Sequence, residues 1–295
     1  MTGAGDDPGP APASVSVRIG VAVKAAPRHV DVDPLTARVD PDRHPPTLAP
    51  ADQAAIETAL RLAEAWDGAP VTVASVAGTR AEDLLREALS LGATRAVRVP
   101  PSGGTVPGGA DTLRSTARAL AAALGDCAVI VCGDASVDGG TGAVPALLAA
   151  ELGRAQCLGL VAVTPGPAGE VTVQRRLDGG RRERARSRAP MVLSVEPGAA
   201  RPRRAPLPAV LAARAATIDV RPPVEAPAAS APVHARPYRP RSRVVPAPDP
   251  SAPPLDRVEH LVGALTDRDP PRRVDTSPAE AAREIVDQLT TWGYL

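Results

Sequence analysis

The chain is expected to fold as an α/β protein built on a doubly wound, mostly parallel sheet. Two observations predict this. Between residues 15 and 152, short β-branched apolar runs alternate with segments whose apolar residues recur every three or four positions, the pattern of strands joined by crossover helices. In addition, the uncharged run Ala128-Val129-Ile130-Val131-Cys132 leads into a glycine-rich turn and then a helix-forming stretch, the strand–turn–helix order of such sheets. A β-hairpin and a C-terminal tether with one helix are expected to follow.

Taken in order, residues 1–14 read as a disordered tail, and the first buried strand spans 15–23 before Lys24 and Pro27 end it. Residues 28–50 hold five prolines and two short extended patches, which suit a surface hairpin. Asp52 to Trp66 is a helix with Ile56, Ala59, Leu60 and Ala63 on one face, stopped by Gly68. A strand over 71–76 follows. Thr79 and Glu82 are spaced as a capping box for a helix that runs to Leu91, with Gly92 as its C-cap. A short strand at 96–99, a Pro/Gly loop at 100–110 and a helix from Asp111 to Leu124 lead to the strand at 128–132.

Beyond a helix at 142–152 the texture changes. Strands are expected at 157–163, 171–173 and 191–195, with Asp178-Gly179-Gly180 as a hairpin turn. Residues 197–217 are polar and broken by proline around Leu207-Pro208. From Pro222 to Pro254 there are 11 prolines in 33 residues, a composition that forms no core and acts as a linker. Ser277, Pro278 and Glu280 then open one amphipathic helix. Its apolar stripe includes Ile285, Leu289 and Trp292. Such a helix cannot hold itself folded and has to dock on this chain or a partner. The expected domains are therefore a tail (1–14), an α/β domain (15–220), a proline-rich linker (221–276) and a docking helix (277–295).

Bulk composition excludes several function classes. A net charge of +1 gives no global case for nucleic acid or a membrane surface. Aromatics make up 1% of the chain and Phe is absent, which removes a stacking platform for single strands. No apolar run is long enough to span a bilayer and no export signal is visible, so the expected location is the cytoplasm. Cys127, Cys132 and Cys157 form no CxxC and flank apolar runs; they read as reduced core residues.

The loop from Gly133 to Pro145 is the strongest candidate site. Glycines at a strand's end let backbone approach an anion, and the following helix presents free N–H groups to it. The loop is neither GxGxxG nor a P-loop. Asp134 and Asp138 could be paired acids, but turn composition favours capping and backbone hydrogen bonding. His29, His44, His234 and His260 all lie in polar or proline-rich segments away from any nucleophile, which argues against a triad or a metal. Arg182, Arg184, Arg186 and Arg188 alternate at period two, so they form either a docking patch for an acidic protein or a solvated strand face. With no catalytic constellation in view, a nucleotide-binding fold of this kind suits a carrier or scaffold.

At this point the chain resembles the beta subunit of electron transfer flavoproteins. Val21-Ala22-Val23-Lys24 is similar to that family's opening VAVK. Residues 49–62 align with its N-P-F-[DC]-E-x-A segment, and residues 86–93 with R-x-A-L-A-M-G-A. Residues 133–145 align with G-K-Q-A-I-D-x-D-T-G-Q-V, and 178–180 with its DGG turn. Pro190 and Leu207-Pro208 match further family positions, so the resemblance covers residues 17 to 220.

The resemblance implies a Rossmann-like, adenine-nucleotide-binding fold that buries AMP, while a separate alpha subunit holds most of the redox FAD. The nucleotide contacts it implies are Ala22, Ala49, Pro50, Ala51, Asp52, Val76, Gly133, Asp134, Ala135, Ser136, Val137, Asp138, Gly139, Gly140, Thr141, Gly142, Ala143 and Val144. Leu207 with Pro208 would be the apolar anchor for dehydrogenase electron donors. Ile285, Leu289 and Trp292 would meet the alpha subunit of the heterodimer. A membrane quinone oxidoreductase or another acceptor would receive the electrons, with no nucleic acid bound and no membrane insertion.

Departures from the pattern are Ala49 and Ala51 in the NPF segment, and Asp134-Ala135 where Lys-Gln is usual. With a composition that suggests a high-GC genome, they resemble a divergent actinobacterial branch that serves mycofactocin-dependent dehydrogenases. Two alternatives stay open: a second FAD in an electron-bifurcating complex, and a nucleotide-binding module of the universal-stress type.

Overall fold

The computed structural model describes residues 17–27, 31–33, 36, 39–40, 44–101, 110–224, 247–263 and 273–294. The expected N-terminal tail, most of the 100–110 loop and most of the proline-rich stretch lie outside the described residues. Two compact units divide the chain at 237/238.

In the first unit the elements run as β1 (Ile19–Ala22), β2 (Ala25–Pro27), β3 (Asp31–Val32), β4 (Val39–Asp40), β5 (Pro46–Leu48), α1 (Pro50–Ala65), β6 (Val71–Val76), α2 (Glu82–Leu91) and β7 (Arg95–Val99). They continue with α3 (Ala110–Leu124), β8 (Val129–Gly133), α4 (Ala143–Leu152), β9 (Ala155–Pro165), β10 (Glu170–Arg176), β11 (Arg182–Arg188), β12 (Met191–Val195), α5 (Leu207–Arg214) and β13 (Asp219–Val220). Nine strands form one sheet in the order β11-β10-β9-β12-β8-β1-β6-β7-β13. Every pair from β9 to β13 in that order is parallel. β10 pairs antiparallel with both β9 and β11. The expected doubly wound, mostly parallel sheet with a hairpin is therefore present.

Its winding explains the layers. From β1 the chain moves outward through α1, β6, α2 and β7, then returns through α3 to place β8 on the other side of β1. Ile19, Val21, Val73, Val131 and Leu193 pack with Ile56, Leu60 and Leu85 on the face of α1 and α2. Ala22, Val97, Ile130 and Val192 pack with Leu120, Leu124 and Leu148 on the face of α3 and α4. On β1, a side chain at Gly20 would lie 3.2 Å from Leu124 and 3.3 Å from Cys127, so α3 sits close over the sheet. Cys127 and Cys132 are buried free thiols, and burial pushes both up to about 12. They stay protonated and act as small core residues.

Local expectations are met in part. Two short antiparallel pairs follow β1, β2 with β5 and β3 with β4. Asp178–Gly180 turns the β10–β11 hairpin. Thr79 makes no capping box. Residues 79–81 form a single 3-10 turn instead, and the Glu82 carboxylate is drawn away to Arg98 Nε at 3.2 Å and Arg86 Nη2 at 3.3 Å. The stretch read as proline-broken holds α5, because Pro208 occupies the first turn, where a missing N–H costs nothing. α5 packs on α2.

The second unit contributes α6 (Pro254–Val262) and α7 (Pro278–Thr291). α7 has the expected capping box: Glu280 N donates to Ser277 Oγ at 3.4 Å, and Ser277 N donates to Glu280 Oε2 at 3.2 Å. Ile285, Val286 and Trp292 are exposed along it, and Leu289 is half-buried. α6 lay within the stretch read as linker. It is also amphipathic, with Leu255, Val258, Leu261 and Val262 exposed. No helix among the described residues is long and apolar enough to cross a membrane.

Candidate functional site

Because the chain leaves β1 in one direction and β8 in the other, the carboxyl ends of these neighbouring strands form a fork. In an open α/β sheet such a reversal point is where ligands bind. β1 and β8 run in register, Ala22 beside Cys132, so the segments that follow them emerge side by side. Three segments meet there: Val23-Lys24 after β1, the first turn of α1, and the loop 133–142 before α4.

Gly133 fixes the first contact. A side chain at this position would lie 2.9 Å from both Ala51 Cβ and Asp52 Oδ1, so the start of α1 rests on bare backbone. Ala22, Ala49, Ala51 and Asp52 are all buried, while Pro50 is exposed. The Asp52 carboxylate, 6% exposed, accepts a hydrogen bond from Lys24 N at 3.1 Å. Burial dominates its titration and raises it to about 7, against hydrogen bonds from Lys24 and Ala49.

The loop closes across the fork. Lys24 Nζ lies 2.7 Å from Asp138 Oδ1. Gly139 N donates to the same oxygen at 2.7 Å and to Ser136 Oγ at 3.2 Å, and Gly140 N donates to Ser136 O at 2.9 Å. Burial works to raise the Asp138 carboxyl, but these bonds, led by Lys24, hold it below the usual range. Asp134 turns its carboxylate onto Ala135 N at 2.8 Å, while its own N–H donates to Val195 O at 3.0 Å. Both aspartates thus do the capping and backbone work that turn composition suggested.

Beyond Asp138 the loop opens. Gly140 and Gly142 adopt left-handed φ of 63° and 61°, which favour glycine, and nothing crowds Gly140 within 4 Å. Val137, Gly139 and Thr141 are exposed. α4 has no side-chain cap at Gly142, and only Ala143 N finds Thr141 Oγ1, at 3.4 Å. The N–H groups of Gly139, Gly140 and Ala143 are held within the loop and Pro145 has none, which leaves those of Thr141, Gly142 and Val144 at the helix N-terminus, with the Lys24 ammonium close to Asp138. That arrangement fits one phosphate-sized anion; the three carboxylates of Asp52, Asp134 and Asp138 limit how much more negative charge the fork accepts. Among the described residues no group of His, Cys, Asp or Glu could hold a metal ion.

The fork thus brings together Ala22, Ala49–Asp52 and Gly133–Val144. Val76 ends the neighbouring strand β6 and lines a small cavity with Pro100, Pro101, Thr112, Ser115 and Val224. Leu207 and Pro208 start α5 elsewhere on the unit, with Leu207 68% exposed and Leu211 exposed one turn later. Ile285 and Leu289 belong to α7 of the second unit, and Trp292 is its C-cap.

Sequence reasoning passed over Lys24 as a site residue, although its place at the carboxyl end of the first strand pointed to the fork. It also passed over Arg203, which joins Glu57 and Glu64 of α1 across 146 and 139 residues of chain. No local pattern signals that pairing.

A family profile described as the electron transfer flavoprotein domain matches residues 37–226. Protein FixA of Rhizobium meliloti is 33% identical over 171 residues, 54% of this chain and 57% of its own. Electron transfer flavoprotein subunit beta of Megasphaera elsdenii is 34% identical over 152 residues, 46% of this chain and 53% of its own. The subunit beta of Mycobacterium tuberculosis is 38% identical over 136 residues, 44% and 49%. The chain spans about half the length of the curated relatives it matches.

Proposed function

This chain belongs to the electron transfer flavoprotein family, with beta subunits among its relatives, and from that premise we propose that it is the beta half of a heterodimeric electron carrier that holds AMP in the β1–β8 fork. An alpha subunit would supply most of the FAD site. FAD supplies the redox chemistry when bound, taking electrons from dehydrogenases and passing them to a membrane quinone oxidoreductase or another acceptor.

The observation that carries this reading is the fork. The glycine loop, the N–H groups of Thr141, Gly142 and Val144 at the start of α4, and Lys24 lie together where a sheet of this winding takes a nucleotide. Lys24 would exchange Asp138 for the phosphate, while Ala22 and the first turn of α1 wall the base side of the crevice. The exposed Leu207–Leu211 pair of α5 suits the dehydrogenases, and the apolar stripes of α6 and α7 suit the alpha subunit.

Co-expression with an alpha subunit, followed by acid extraction of the purified complex, tests it. One FAD and one AMP per heterodimer are expected. Two FAD and no AMP would assign the fork to a second flavin, and a colourless chain without any adenine nucleotide would sink the proposal. Lys24→Met should weaken AMP binding by about tenfold or more in calorimetric titration, the loss of one charge-assisted hydrogen bond.

A further inference from the structure

Of the 34 lysine and arginine residues in this chain, a single one is lysine, and it is Lys24 at the β1–β8 fork. An ammonium is a compact point charge on a flexible stem, whereas a guanidinium is a rigid planar fork of donors. A chain that uses arginine everywhere else thus places its one small, pivoting cation beside the glycine loop.

The partner of that cation has the chemistry of a phosphate oxygen. Asp138 Oδ1 accepts from Lys24 Nζ at 2.7 Å and from Gly139 N at 2.7 Å, and the Ser136 hydroxyl bonds the same carboxylate. An ammonium, a backbone N–H and a hydroxyl converging on one anion are also what a phosphate recruits near a helix N-terminus. A side chain at Gly139 would lie 3.2 Å from Ser136 Oγ and 3.9 Å from Lys24 Nζ. Bare backbone at Gly139 therefore lets these donors close on one point. The loop's donors fall into two sets. One set is turned onto the chain's own Asp138, and the other, the N–H groups of Thr141, Gly142 and Val144, lies at the start of α4.

The remaining carboxylates of the fork have other work. Asp52 accepts from the Lys24 backbone N–H, and Asp134 accepts from Ala135 N. Asp138 alone of the three forms an ion pair with the Lys24 ammonium. Gly140 and Gly142, both at left-handed φ, separate Asp138 from α4, so the turn that carries Asp138 is joined to the helix through the most permissive backbone.

We propose that Asp138 is a built-in competitor for the anion of the fork, holding Lys24 until a phosphate takes its place. The proposal rests on the reading of the fork as an AMP site and deepens it. Affinity is then set by an exchange of partners: the apparent Kd is the intrinsic Kd divided by the fraction of chains in which Lys24 is released. An ion pair half in solvent biases that fraction by a few-fold rather than by orders of magnitude, which tunes binding without abolishing it.

The test titrates the full chain, stripped of nucleotide, with AMP by calorimetry. Parent, Asp138→Asn, Lys24→Met and the double variant form a cycle. Asp134→Asn serves as control, since it removes a fork carboxylate that does not pair with Lys24. Asp138→Asn should tighten AMP by about fivefold, clearly more than Asp134→Asn does. In the Lys24→Met background the same change should alter affinity by less than about twofold, because no ammonium is left to release. As Lys24 is the only side-chain amine, acylation by acetic anhydride, read by mass at that residue, gives a second measurement. Asp138→Asn should speed it several-fold, and AMP should slow it in both proteins. Unchanged affinity in Asp138→Asn would overturn the competition. Equal tightening with and without Lys24 would overturn it too, by assigning the effect to plain charge repulsion. AMP binding by none of the proteins would instead overturn the AMP reading of the fork, and this competition with it.

Discussion

Arg203→Ala should lower the thermal midpoint of this chain by roughly 5–10 °C, the shift expected of a loss of roughly 2–3 kcal/mol in a domain of this size. The reason lies in Glu57, which is 5% exposed in the middle of α1. Arg203 Nε and Nη2 donate to its two oxygens at 2.7 and 3.2 Å, and the Arg203 backbone N–H adds a third bond at 3.2 Å. Arg61 Nε, one turn along the helix, donates at 2.8 Å. Burial works to raise the Glu57 carboxyl, but the bonds from Arg203 and Arg61 outweigh it and hold the group below its ordinary range. Removing Arg203 leaves a buried carboxylate with only one exposed cation, and that stranded charge costs more than the pair contributes.

The double variant Glu57→Gln with Arg203→Ala removes the stranded charge, so it should recover much of the loss in a double-mutant cycle. Glu57 has a depressed folded-state pKa. Its stabilisation is therefore present above the unfolded value of 4.5 and is lost as pH falls through the lower folded value. The Arg203→Ala deficit should shrink in that acid window. Midpoints within error of the parent at pH 7 would show that residues 201–206 are held by packing alone. Because Arg203 lies four residues before Leu207, the same variant should also weaken docking that uses the exposed face of α5.

What could be read from the sequence divides by range. The β1 to α4 alternation, the glycine loop and the capping box at Ser277 are local patterns, and they appear where period and cap chemistry put them. The period-two arginines of β11 were equally legible as one face, though their place at the sheet's outermost edge was not. α5 was missed because Leu207-Pro208 looks like a break until proline is read as a first-turn residue. Thr79 failed as a cap because Glu82 has a stronger cationic partner in Arg98, sixteen residues on. At the site, the Gly133–Val144 segment was legible from its glycines, whereas the Lys24–Asp138 bridge spans 114 residues and needs the parallel pairing of β1 and β8 to exist.

Asp52 gives the second large effect, with the opposite pH sense. Burial at the fork raises its carboxyl from 3.8 to about 7, with Asp134 adding to the rise and Lys24 opposing it, while Cys132 beneath stays a neutral thiol. Between these two values the folded chain binds a proton that the unfolded chain has already released, so stability falls as pH rises. The fall is complete above the folded value, and about three pK units correspond to roughly 4 kcal/mol at most. Asp52→Asn keeps the shape and cannot ionise. It should match the parent near pH 4 and exceed it at pH 8, which urea midpoints at the two pH values would measure. Parallel profiles for parent and variant would show that Asp52 stays ionised at the fork throughout. The same charge bears on ligand binding. A phosphate on the N–H groups of residues 141, 142 and 144 brings more negative charge to the fork and favours the protonated Asp52. AMP affinity should therefore decline through pH 7 in the parent and stay level in Asp52→Asn.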